Sequence, residues 1–63
     1  MTERQFNELR PYMDGFPIAY PPPPATLIRA RYVREVVRGV WEITPKGRAA
    51  FEAITTGKAG LRP

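Results

Sequence analysis

Four consecutive prolines, Pro21 to Pro24, interrupt a chain of 63 residues. With Pro17 they make five prolines in the nine residues from Phe16 to Pro24. Each fixes φ and lacks an N–H, so neither a regular helix nor a central strand can run through this stretch. The run favours polyproline II geometry, a stiff strut that returns the chain across the domain. Proline runs are also ligands for aromatic-lined grooves, but a position between folded elements favours the strut. Phe16, Ile18 and Tyr20 alternate, which predicts that they pack one edge of the segment on the core.

On the N-terminal side, Thr2-Glu3-Arg4-Gln5 has the form of a capping box and predicts a helix to about residue 10. Phe6, Leu9 and Met13 share one face of it. Pro11 stops the regular helix, and Asp14-Gly15 ends the irregular last turn. On the C-terminal side, Ala25 to Arg31 allows a short helix opened by Pro24, with Leu27 and Ile28 inward. Tyr32 to Val37 and Val40 to Ile43 are strand-forming runs around an Arg38-Gly39 turn. A two-residue loop sets Val37 opposite Val40, Val36 opposite Trp41, Arg34 opposite Ile43 and Glu35 opposite Glu42. Thr44 caps a last helix that starts at Pro45 and runs to about Thr56, with Gly57 as its left-handed stop.

The expected fold is therefore α+β: helix, Pro-rich extended segment, short helix, β-hairpin, C-terminal helix. One domain covers residues 1–57, and residues 58–63 form a flexible basic tail. The expected core is Phe6, Leu9, Leu27, Ile28, Val33, Trp41, Ile43, Phe51 and Ile54.

Composition narrows the function. The chain has no Cys, His or Ser, which removes disulfides, the usual transition-metal ligands and the familiar nucleophile–base pairs. No P-loop, dinucleotide fingerprint or metal-ligand spacing occurs, so neither an enzyme nor a cofactor is expected. Ten Lys plus Arg stand against six Asp plus Glu, and eight of those ten are arginine. Arginine's planar fork suits phosphates and guanine edges, which points to an anionic partner. No apolar run is long enough to span a bilayer, so the expectation is a soluble cytoplasmic protein without a membrane partner. A single core of this size supplies only about 3 to 5 kcal/mol, which makes a homodimer a second route to stability.

The segment Ile43-Thr44-Pro45-Lys46-Gly47-Arg48, with the hairpin and Arg31-Tyr32-Val33 before it, resembles the wing and last helix of winged helix-turn-helix proteins. The likeness is to bacterial repressors of the antibiotic-resistance-regulator type, and it is closest over residues 27–54. It implies a shortened winged-helix domain that binds double-stranded DNA and regulates transcription. It also implies that Thr26, Arg29 and Arg31 lie on the recognition helix, with Arg38 at the wing tip. Arg34 joins Arg29, Arg31 and Arg38 as the fourth arginine of a basic patch. Where the middle helix of a full helix-turn-helix belongs, this chain has its proline strut. The alternative is a degenerate winged helix that binds a protein, such as a phage or mobile-element inhibitor of a host protein.

Overall fold

A computed structural model describes residues 1–61. Its elements are α1 (Glu3–Leu9), a 3₁₀ turn (Arg10–Asp14), α2 (Ala25–Arg29), β1 (Val33–Val37), β2 (Val40–Ile43) and α3 (Pro45–Thr55). This is a mixed α+β arrangement of helices around one antiparallel hairpin.

The capping box at Thr2 forms in both directions. The Gln5 amide donates to Thr2 Oγ1 at 3.1 Å, and the Thr2 amide donates to Gln5 Oε1 at 2.9 Å. At Pro11 the chain tightens into the 3₁₀ turn rather than breaking, because a proline in its first two positions has no intrahelical N–H to lose. The tightening decides which residue is buried. At three residues per turn Tyr12, not Met13, falls beneath Leu9. Tyr12 is 4% exposed and belongs to the core, where sequence periodicity had not put it.

The Pro-rich segment is anchored at one residue. Ile18 pairs with Trp41 through Ile18 N–H to Trp41 O at 2.7 Å and Trp41 N–H to Ile18 O at 2.9 Å. Ile18 thereby covers the outer edge of β2, leaving β1 as the open edge. Phe16 and Tyr20 do not join it on the core and are 75% and 85% exposed. A single bridge aligns one residue only, and the glycine and prolines on either side redirect the chain before its neighbours reach β2.

In α2, Pro24 is the cap rather than the first helical residue, and its carbonyl accepts from the Leu27 and Ile28 amides. Leu27 is fully buried while Ile28 is 39% exposed. Adjacent helical residues point about 100° apart, so a five-residue helix cannot bury both.

The hairpin departs from the expected register. Val37 faces Val40 as expected, but Val36 bulges, and Glu35 then faces Trp41, Arg34 faces Glu42 and Val33 faces Ile43. The turn explains the shift. Only Gly39 of the two loop residues has positive φ (80°), so the loop lacks the primed-turn twist that suits a regular two-residue hairpin. The extra residue in β1 absorbs the mismatch. It also sets Arg34 against Glu42, where the expected register would have opposed two glutamates.

The buried cluster draws one residue from each of five segments: Leu9, Tyr12, Leu27, Val33 and Phe51. Phe6 and Phe51 stack with centroids 4.1 Å apart, joining α1 to α3. Trp41 and Ile43 are half-buried against this cluster, as are Met13 and Ile18. Ile54 is half-buried but does not pack against it. Gly57 ends α3 at φ 79°, and the Lys58 and Ala59 amides both bond back to Ala53 O. Of the expected tail, Arg62 and Pro63 lie outside the described residues.

Candidate nucleic-acid interface

The sequence-derived candidates occupy three places. Thr26 is exposed on α2 and lines a shallow cavity of about 270 Å³ beside the cap residue Thr2 and Arg4 and Gln5 of α1. Arg29 is the last residue of α2. Arg31 is not on the helix, since α2 ends two residues earlier, and it has φ 62°. It occupies the left-handed position of a Schellman stop. The Arg31 amide donates to Ile28 O at 3.0 Å and the Tyr32 amide to Leu27 O at 3.0 Å. Glycine is the usual residue there, and an arginine costs about 1 to 2 kcal/mol of backbone strain.

The start of α3 clamps this stop. Thr44 Oγ1 donates to Arg31 O at 2.6 Å and accepts from the Gly47 amide at 3.0 Å, while the Thr44 amide donates to Tyr32 O at 2.9 Å. Gly47 is obligatory for a related reason. A Cβ there would lie 2.3 Å from the Tyr32 carbonyl oxygen. Lys46 holds its ammonium 5.7 Å from the centroid of the Tyr32 ring. Arg48 reaches Met13 O in a long 3.4 Å contact. Thr44, Lys46 and Gly47 thus all face the Arg31-Tyr32 segment, while Arg48 ties α3 to the 3₁₀ turn.

The junction places Lys46 next to Tyr32, whose chain neighbour is Arg31. Lys46 and Tyr32 are fourteen positions apart, with Tyr32 in the link between α2 and β1, so local sequence spacing does not bring the pair out. Arg29, Arg31 and Lys46 are all exposed, and none forms an ion pair among the described residues.

Arg34 differs. Its Nε and Nη2 approach Glu42 Oε1 at 2.7 and 2.6 Å, so its charge is already matched across the hairpin. Arg38 is exposed at the tip, where Glu35 Oε2 accepts from the Gly39 amide at 2.8 Å. Arg38 lies in the turn, past the Val36 bulge and the end of β1. The four arginines lie in four places: Arg29 at the end of α2, Arg31 in the stop that follows it, Arg34 in β1 and Arg38 in the hairpin turn. Of the exposed cations, Arg29 and Arg31 adjoin the α2 stop and Lys46 lies over the ring of the neighbouring Tyr32, while Arg38 is at the hairpin tip.

Among the described residues no cluster of His, Cys, Asp or Glu could hold a metal ion, and no helix is long and apolar enough to cross a membrane. No protein-family model, curated protein or solved structure matches the chain.

Proposed function

We propose that this chain is a small DNA-binding protein, a shortened winged helix that acts as a transcriptional regulator. Its phosphate-contacting surface is Arg29, Arg31 and Lys46 at the α2–β1–α3 junction, with Arg38 at the wing tip as an outlying contact. Thr26 and Arg29 are the α2 side chains nearest base edges. One observation carries the reading: a non-glycine residue holds a strained left-handed position, and that residue is an exposed, unpaired arginine. Strain of this kind is retained where the surroundings over-determine it and the side chain is of use. Here Thr44 clamps the backbone, and the guanidinium is left free for an anion.

Fluorescence anisotropy with a labelled generic duplex at several salt concentrations tests the reading. Four phosphate contacts give a slope of log K against log salt of about −3.6. Replacing Arg29, Arg31, Arg38 and Lys46 together by Ala should flatten that slope nearly to zero. Absence of binding at low salt, or an unchanged slope in the fourfold variant, sinks it. A protein partner is then the better account. That second reading is favoured by the brevity of α2, five residues, which limits how far it can enter a groove.

A further inference from the structure

Thr26 and Arg29 stand one helical turn apart on α2 and so share a face. Thr26 also borders the cavity of about 270 Å³ whose remaining lining is Pro24 and, from α1 and its cap, Thr2, Arg4, Gln5 and Glu8. Two of these residues are already committed. In the capping box the side-chain oxygens of Thr2 and Gln5 accept from each other's amides. Arg4 is far less engaged. Its side chain is 89% exposed, and its ion pair with Glu8 spans 3.6 Å. A pair that long and that wet is weak, so the guanidinium is open to a second anion.

Helix stability does not account for a cation at this position. Arg4 lies in the first turn of α1, where the helix field favours an acid such as Glu3 and disfavours an arginine. Arg4 borders a second depression as well, but Glu3 and Glu8 both line that one. Only Glu8 is acidic on the Thr26 side, so an anion approaches Arg4 from there.

We propose that Arg4 is a further contact of the nucleic-acid interface, taking a backbone phosphate of the duplex across the cavity from Thr26. The proposal rests on the DNA reading above and extends it from α2 to α1. A duplex whose base edges meet Thr26 and Arg29 crosses the mouth of this cavity, and the phosphates that flank a groove are what an arginine on the opposite rim meets. Glu8 has a defined place in this contact. Its half-buried carboxylate competes with the phosphate for the guanidinium and repels the incoming strand.

Fluorescence anisotropy with the labelled generic duplex tests this contact separately from the reading beneath it. Five contacts rather than four steepen the expected slope of log K against log salt from about −3.6 to about −4.5, and leave about −0.9 of it in the fourfold variant. In the parent, Arg4→Ala should flatten the slope by about 0.9. Arg4→Lys should keep it, since a phosphate also accepts a point charge. Glu8→Gln should act in the opposite direction and tighten binding about threefold at low salt, the strength of an exposed ion pair. Urea midpoints of these variants should stay close to the parent, whereas a merely structural role would move the midpoint and leave the slope alone. A parent whose slope depends on Arg29, Arg31 and Lys46 but not on Arg4 overturns this contact and leaves the DNA reading standing. Weaker binding by Glu8→Gln also overturns it. A parent that binds no duplex at low salt overturns both.

Discussion

The two ends of β1 are built on different principles. At its start, Arg31 and Tyr32 are held by four hydrogen bonds, two from the Thr44 cap and two in the α2 stop, and Gly47 presses directly on the Tyr32 carbonyl. At its end, the Arg38-Gly39 turn has open space around Gly39 and one side-chain bond from Glu35. Both ends offer an exposed arginine, Arg31 and Arg38. Only the first is mounted on a backbone that α2 and the start of α3 hold together. An interaction site needs side chains that do not move when the partner arrives, and that favours the start of the strand over its tip.

Glycine substitution separates the ends most widely. Gly47→Ala forces a Cβ against a backbone oxygen that cannot swing away, and should cost about 2 to 3 kcal/mol. Gly39→Ala meets no neighbour and should cost only the left-handed strain, about 1 kcal/mol. Urea denaturation of both variants checks the difference. Equal losses would mean that α3 does not press on Tyr32 as described.

Arg31→Gly acts in the opposite direction. Relief of about 1 to 2 kcal/mol of strain, less about 0.5 to 1 for the extra freedom of glycine in the unfolded chain, leaves a net gain of about 0.5 to 1 kcal/mol. The same change should reduce the salt dependence of duplex binding by about one unit. A protein that becomes more stable and binds less well would tie the strain to the function. A variant that loses stability would show that the Arg31 side chain supports the fold.

The smallest effect belongs to the middle of the strand. The Arg34–Glu42 pair is a surface ion pair, and a double-mutant cycle should yield a coupling of about 0.2 to 1 kcal/mol that shrinks with salt. Since its charge is matched, Arg34→Ala should change the duplex salt slope less than Arg31→Ala does. A larger change for Arg34 would move the proposed interface from the junction to the outer face of the hairpin.

Features settled within four residues were legible in the chain. The boxes and caps at Thr2, Thr44 and Gly57 form where expected, because donor, acceptor and backbone conformation all lie in adjacent positions. The break at Pro11 was legible as well, but not its consequence. Whether Tyr12 or Met13 turns inward depends on how tightly the chain coils after the proline, and that choice was made by the core it packs against.

Register, charge pairing and the site were decided at longer range. The bulge at Val36 answers a turn twist that residue types alone do not specify, and it moved Arg34 from the proposed patch into a pair with Glu42. Lys46 entered the candidate site because Tyr32, fourteen positions away in sequence, was brought beneath it. Gly47, a poor residue near a helix start by propensity, makes sense only against the Tyr32 carbonyl. Taken alone, the sequence determined the elements, their caps and the positive charge, since these rest on local backbone chemistry and composition. Only the tertiary structure decided which cations stay free and which aromatics stay exposed, because those outcomes depend on the neighbours that packing supplies.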